Sequence, residues 1–154
     1  TGADIRTSDE PRAFYSIGQD FIHMPPIATF HDAGGYYATL AHEATHWTGH
    51  KNRLDRFTRF VDRKAYAFEE LIAEIGACMT CASLGLTPDF DQSAAYVEGW
   101  LRALKDDKHL IFKAASEAQK ATDLLQERAS DRRAAPSTCP ARRHDHERQR
   151  NPLA

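Results

Sequence analysis

The sequence predicts an α+β fold in which an N-terminal β-hairpin packs on a mainly helical domain. The first observation is a pair of aromatic-rich segments within residues 12–24, separated by a turn. The second is a series of later segments whose apolar residues recur at spacings of three and four, as on one face of a helix. Strands that precede helices, rather than alternating with them, are typical of the α+β class. A chain of 154 residues is long enough for one such domain with one core.

The predicted hairpin covers residues 12–24. Its strands, RAFYS and DFIHM, are rich in residues that favour β-structure, and Ile17-Gly18-Gln19 supplies the turn between them. Pro25-Pro26 ends the second strand, because proline has no N–H to donate to a neighbouring strand. Residues 27–31 are then predicted to form a short helical turn.

The helices are predicted from the periodicity of their apolar residues and from their end signals. In the first helix, Tyr36, Leu40, Ala44 and Trp47 form one apolar stripe. Gly85 is a typical residue just beyond the end of the second helix. The predicted helices span 35–50, 64–84, about 91–105 and about 108–128, with a polar connection over 52–63.

The composition changes after residue 129. The segment 130–154 has six arginines and three acidic residues, a net charge of +3, with one large aliphatic residue and no aromatic residue. Such a segment buries too little apolar surface to offset the entropy of ordering it. We therefore predict a folded domain over residues 1–129 and a disordered basic tail over 130–154.

Charge and composition exclude several classes of protein. The whole chain has a net charge of −2, which leaves −5 for residues 1–129, so the domain lacks the basic surface of a nonspecific DNA-binding protein. No apolar run approaches the ~20 residues that a membrane helix needs, and the first residues do not resemble a signal peptide. Three cysteines are too few for a disulfide-stapled secreted scaffold. These observations predict a cytoplasmic protein with no membrane partner.

The most informative motif is H-E-x-x-H, at residues 42–46 of the first predicted helix. Residues four apart on a helix are offset by only about 40°, so His42 and His46 share a face and their imidazoles can bind one ion. Glu43 lies about 100° further round the helix, beside the ion rather than on it, where it can act as a general base toward water. The motif therefore predicts a Zn²⁺ site, or a site for another divalent metal, with catalytic potential.

The second predicted helix offers a third ligand. Glu69, Glu70 and Glu74 lie among its apolar residues, and Glu70 and Glu74 share one face. Carboxylates at the edge of an apolar stripe are costly to bury without a cation or hydrogen-bond donors. We expect Glu70 to bind the metal and Glu74 to accept a hydrogen bond from His42 or His46. The reverse assignment of Glu70 and Glu74 stays open, as does a solvated acidic face without a metal.

A third histidine is a poorer candidate. In zincins with the H-E-x-x-H-x-x-G-x-x-H pattern the last histidine binds the metal, but Asn52 occupies that position here. His50 comes two residues too early, and it would line up with His42 and His46 along one helix, which fits tetrahedral coordination poorly.

Four stretches of the chain resemble a known family. TGADIR, the RAFYS…DFIHMPP segment, YYATLAHEATHWTGH and YAFEELIAEIGA are similar to the C-terminal zincin-like metallopeptidase domain of ArdC-type antirestriction proteins, over roughly residues 1–127. The resemblance implies a zincin-like fold and a divalent metal. It implies that His42 and His46 are ligands, that Glu43 is the base, and that Glu70 or Glu74 is the third ligand. The E-x-x-A-E spelling resembles the E-x-x-A-D of some gluzincins, which favours Glu70.

The resemblance also implies a biological role. ArdC-type proteins are carried by conjugative plasmids, integrative elements and phages, so the implied activity is peptide hydrolysis that protects incoming DNA from restriction. The implied partners are a protein or peptide substrate and host restriction machinery. Single-stranded DNA is expected to bind only through an N-terminal domain that this chain lacks. The alternative is a non-catalytic, metal-stabilised module that inhibits restriction enzymes by binding them. Residues 20–24 are the expected strand edge for an extended substrate.

Overall fold

The computed structural model describes residues 2–59, 63–87 and 109–134. Within them, a three-stranded sheet packs against three helices, which confirms the α+β class. Two short 3-10 turns, Ile27–Thr29 and Phe57–Arg59, lie in the connections. The elements are β1 (Asp4–Thr7), β2 (Phe14–Ser16), β3 (Phe21–Met24), α1 (Ala33–Thr48), α2 (Arg63–Ser83) and α3 (Leu110–Ala134).

The sheet contains the predicted hairpin and one strand that was not predicted. β2 pairs antiparallel with β3, with Tyr15 opposite Ile22, as expected for residues 12–24. β1 pairs parallel with the other side of β3, so the strand order is β1-β3-β2. The expectation that residues 20–24 offer a free edge is therefore wrong, because β3 is the central strand. In the described sheet, β2 and β1 are the edge strands.

The ends of α1 and α2 follow from local chemistry. Asp32 caps α1, because its Oδ1 accepts a hydrogen bond from the backbone N–H of Gly35 at 2.7 Å. The helix thus begins at Ala33, two residues before the predicted start. Beyond the end of α2, Gly85 adopts a left-handed conformation with φ of +70°, as predicted for a C-terminal glycine.

The core lies between the sheet and the helices. Ile22 and Met24 of β3 pack with Ala44 and Trp47 of α1, and Leu125 of α3 closes this cluster. A second cluster joins α2 to α3, and its buried members are Leu71, Ile72, Ala114 and Ala118. The two faces of α2 are thus fixed, one against α1 and one against α3.

Two predictions concern the later part of the chain. The predicted helix over 91–105 lies outside the described residues. The last helix was predicted to end near Arg128, but α3 continues to Ala134, so residues 130–134 are helical rather than part of a disordered tail. Residues 126–131 are exposed, and the end of the helix is polar in sequence, so apolar periodicity gives no signal for it. Residues 135–154 lie outside the described residues. No described helix has the length and apolar character needed to cross a bilayer.

Candidate active site

Two helices bring the predicted site residues together. α1 carries His42, Glu43 and His46, and α2 carries Glu70 and Glu74 on the facing side. The helices approach closely where Gly76 of α2 meets Thr45 of α1. A Cβ atom at position 76 would lie only 2.6 Å from Thr45 Cγ2, so this approach requires glycine.

Three potential ligand atoms converge between the helices. The Nε2 atoms of His42 and His46 are 3.2 Å apart. Glu70 Oε2 lies 3.6 Å from His42 Nε2, and Glu70 Oε1 lies 3.5 Å from His46 Nε2. One ligand atom from each residue lies within 4.8 Å of the others, which is close enough for His42, His46 and Glu70 to hold a metal ion.

The other ring nitrogens face carboxylates. His42 Nδ1 lies 3.4 Å from Glu74 Oε1, and His46 Nδ1 lies 3.2 Å from Glu69 Oε1. A carboxylate accepts hydrogen bonds, so each neutral imidazole carries its proton on Nδ1 and has a lone pair on Nε2. In that neutral form, which metal binding requires, two lone pairs and the Glu70 carboxylate face one another as three acceptors. These three ligand atoms fit a divalent cation, which would bind all of them at once.

The carboxylates and imidazoles of the cluster shift one another's pKa values. Burial by itself lowers the pKa of His42, but hydrogen bonds to Glu70 and Glu74 outweigh it and raise the pKa to about 10. For Glu70, burial raises the pKa, but the hydrogen bond from His42 and the charge of His46 hold it below its ordinary value. The surrounding carboxylates therefore favour positive charge on His42, and the histidines favour negative charge on Glu70.

Glu43 lies beside the cluster in an open cavity of about 390 Å³. Its side chain is buried, and burial raises its pKa, although the charges of His46 and His42 oppose that change. The backbone of Tyr15 in β2 also opposes the rise in the pKa of this carboxyl. Besides these charged residues, the cavity wall is largely aromatic and apolar, with Ala13, Phe14, Tyr15, Ile17, Phe57 and Tyr66.

One part of the site was not predicted from the sequence. Glu69, which appeared only as a member of an acidic group, contacts His46 and forms a buried ion pair with Arg56. Burial raises the pKa of Glu69, but the hydrogen bonds from Arg56 and His46 outweigh it and hold the pKa below its ordinary value. Arg56 lies in a polar connection with no periodic pattern, so no local signal links it to Glu69. His50 is buried and accepts a hydrogen bond from the N–H of Asn52, but it does not line the cavity.

The sequence and the fold match a known family. The family model named MPTase-PolyVal, described as a zincin-like metallopeptidase, matches residues 1–117. The chain belongs to this family. The fold class and the resemblance expected from the sequence are thereby confirmed.

Two relatives of this chain come from bacteria. DNA primase TraC of Escherichia coli is 44% identical over 126 residues, which are 81% of this chain and 12% of TraC. Protein y4eC of Sinorhizobium fredii is 41% identical over 132 residues, which are 84% of this chain and 43% of y4eC. The chain thus spans less than half the length of these relatives.

A solved relative shares both sequence and fold. The antirestriction protein ArdC of plasmid R388 is 82% identical in sequence and superposes with a TM-score of 0.78. The match covers 84% of this chain and 49% of the ArdC chain. ArdC has been solved in a Mn(II)-bound form and in a metal-free form.

Proposed function

We propose that this domain is a metal-dependent peptidase in which His42, His46 and Glu70 hold one divalent cation. Glu43 is the general base, and Glu74 orients His42. The observation that carries the proposal is the convergence of three acceptor atoms next to a buried carboxylate, inside a cavity. Imidazole and carboxylate ligands favour Zn²⁺ in catalytic sites, and Mn(II) occupies the solved relative.

The chemistry follows from where the protein's own groups lie. The chemistry supplied by a bound divalent cation is Lewis-acid polarisation of a carbonyl and acidification of water. Glu43 takes a proton from the attacking water and returns it to the leaving amine. Glu74 and Glu69 hold the two imidazole rings, so that both Nε2 lone pairs point to the same place.

The expected substrate is a protein or peptide in extended form. β2 is an edge strand of the described sheet, and its residues Phe14 and Tyr15 line the cavity. An extended peptide can add to such an edge through main-chain hydrogen bonds, with its side chains against the apolar wall. This assigns to β2 the role first expected of residues 20–24.

The biological proposal rests on the relatives. Because the chain is 82% identical to an antirestriction protein, we infer that this domain helps to protect incoming plasmid or phage DNA. Host restriction machinery is the proposed partner. Single-stranded DNA is proposed to bind through a further domain of the longer relatives, not through the acidic domain described above.

The decisive test is Glu43→Gln. This variant removes the base but keeps the size of the side chain and all three proposed ligands, so Mn²⁺ should still bind with an unchanged Kd. Hydrolysis of unfolded casein, followed by mass spectrometry of released peptides, should fall by about 10²–10⁴-fold. Glu10→Gln is the matched control, because Glu10 is exposed and does not line the cavity. Full activity of Glu43→Gln would show that the mechanism is wrong.

The same variants separate the peptidase from the non-catalytic alternative. Transfer of a plasmid into a restricting host measures protection of incoming DNA. A peptidase requires Glu43 for protection, whereas a metal-stabilised binding module keeps protection in Glu43→Gln and loses it in His46→Ala. Protection by Glu43→Gln at the wild-type level would replace the proposed activity with inhibition by binding.

A further inference from the structure

Arg56 connects the two helices that carry the proposed ligands. Its side chain is 1% exposed. On the α1 side, its Nη1 donates to Thr48 Oγ1 at 2.9 Å and its Nη2 donates to the carbonyl of Thr45 at 2.7 Å. On the α2 side, Nε and Nη2 donate to the two oxygens of Glu69 at 2.9 and 2.8 Å. The planar guanidinium therefore fixes the position of the Glu69 carboxylate relative to the last turn of α1.

Glu69 passes this constraint to His46. Its Oε1 accepts from Arg56 Nη2 and also lies 3.2 Å from His46 Nδ1. Because both oxygens are engaged by the guanidinium, the carboxylate cannot rotate away from the imidazole without breaking a hydrogen bond. The ring of His46 is thus held with Nδ1 toward Glu69 and Nε2 toward Glu70 and His42.

The two histidines are held by different surroundings. The partner of His46, Glu69, has a side chain that is only 3% exposed, and a buried arginine fixes it. The partner of His42, Glu74, is 21% exposed and reaches solvent. The support on His46 is therefore the more deeply buried of the two.

We propose that Arg56 is a positioning residue, which sets the affinity of the site for a divalent cation by holding His46 through Glu69. This inference rests on the proposed function, because it assumes that His46 is a ligand. Partners of ligating histidines typically contribute about 10–100-fold to metal affinity. Arg56 contributes in the same way through Glu69, although its hydrogen bonds go to Glu69, Thr48 and Thr45 and not to a proposed ligand.

Arg53 provides a matched control. It is also a mostly buried arginine near the end of α1, where it donates through Nε to the carbonyl of Trp47 and forms a two-oxygen ion pair with Asp20. Arg53 does not line the cavity, and its ion pair joins α1 to the hairpin rather than to Glu69. Changing either arginine to lysine keeps the positive charge but loses the planar fork.

The experiment compares Mn²⁺ binding by wild type, Arg56→Lys and Arg53→Lys, each as the full chain, by calorimetric titration. Arg56→Lys should raise the Kd by about 10-fold or more, whereas Arg53→Lys should stay within about twofold of wild type. In the Zn²⁺-loaded forms, long-range ¹H–¹⁵N spectra should show a Nδ1–H proton of His46 that exchanges faster in Arg56→Lys only. A merely structural role would lower urea stability without changing either readout.

Two results overturn the inference. The first is a Kd of Arg56→Lys within twofold of wild type. The second is an equal loss in Arg53→Lys, which would assign the effect to general destabilisation. If circular dichroism shows that Arg56→Lys is unfolded, Glu69→Gln makes the same comparison, and a Kd within twofold of wild type overturns the inference. Failure of the wild-type chain to bind Mn²⁺ or Zn²⁺ is a separate outcome, which would overturn the metal site itself.

Discussion

At the scale of single residues, Asp20 shows how one side chain ties the hairpin to α1. Both of its carboxylate oxygens accept from Arg53, and the Tyr15 hydroxyl donates to it at 2.7 Å. Asp20 has a positive φ of 54°, a conformation that asparagine tolerates as well as aspartate does. Asp20→Asn therefore removes the charge without straining the backbone.

This substitution predicts a pH-dependent loss of stability. Hydrogen bonds from Arg53 lower the pKa of Asp20 below its ordinary value of 3.8, although burial opposes them. A lowered folded-state pKa stabilises the fold above pH 3.8, and this stabilisation is lost as the pH falls through the lower value. Urea unfolding at pH 7 should show Asp20→Asn less stable by about 1 kcal/mol, an estimate reduced for a partly exposed group.

The pH series contains its own check. The difference in unfolding free energy between wild type and Asp20→Asn should shrink as the pH falls below 4, because the wild-type carboxyl becomes protonated. Asp4→Asn is the control, since its ion pair with Arg6 is more than half exposed and is expected to contribute less than about 0.5 kcal/mol. A difference that is constant from pH 7 to pH 3 would contradict the linkage.

The residues of the candidate site differ in how visible they are in the sequence. The H-E-x-x-H spacing predicts that His42 and His46 share a face, because helix geometry alone determines it. The sequence also predicts that Glu70 has a cation or a hydrogen-bond donor as a partner, because a carboxylate in an apolar stripe is costly to bury alone. Arg56 is not predictable, because its contacts with Thr45 and Glu69 depend on how the connection between α1 and α2 folds back, and no periodicity encodes that path.

At the scale of elements, the pairing of α1 with α2 decides whether the proposed ligand atoms meet. The close approach of Gly76 to Thr45 lies between the helices that carry His42, His46 and Glu70. Any side chain at position 76 must push the helices apart or displace Thr45, whose hydroxyl is committed to the carbonyl of Ala41 at 2.8 Å. The geometry of the site is thus coupled to the packing of one glycine.

Gly76→Ala is therefore expected to harm both stability and metal binding. Overpacking typically costs about 1–3 kcal/mol, whereas the gain in helix propensity from glycine to alanine is about 1 kcal/mol, so overpacking should win. Urea unfolding without metal should show the loss, and titration with Mn²⁺ should show a weaker Kd. Gly18→Ala is the control, because a Cβ there meets no atom within 4 Å. Wild-type values in Gly76→Ala would show that the helices do not depend on this contact.

The sheet shows where elements escape prediction. β2 and β3 are visible because a turn joins two short aromatic segments, and a hairpin is a local structure. The sequence pattern does not predict β1, because all four of its residues are exposed and its sequence, DIRT, has no alternating apolar pattern. Its parallel pairing with β3 depends on a long connection rather than on a turn. This missed strand is the reason why β3 is central and why the edge beside the cavity belongs to β2.

At the scale of the whole molecule, the fold concentrates negative charge at one place. Residues 1–129 carry a net charge of −5. Four buried or half-buried glutamates surround two imidazoles, and Arg56 forms an ion pair with one of these glutamates, Glu69. The glutamates are Glu43, Glu69, Glu70 and Glu74. Bringing these groups together costs free energy unless protons or a cation compensate. A bound divalent cation should therefore stabilise the folded chain well beyond its local contacts.

Thermal unfolding tests this coupling between metal and fold. A ligand that binds only the folded state stabilises it by RT ln(1 + [L]/Kd), which is about 2.7 kcal/mol at a concentration of 100 Kd. For a chain of this size, that corresponds to a rise in Tm of about 5–10 °C. Addition of Mn²⁺ or Zn²⁺ after EDTA treatment should produce this rise in the wild type and in Glu43→Gln, whose ligands are intact. His46→Ala should show almost none. An equal rise in His46→Ala would mean that the cation stabilises the chain from another position, and that the two helices hold their glutamates together without it.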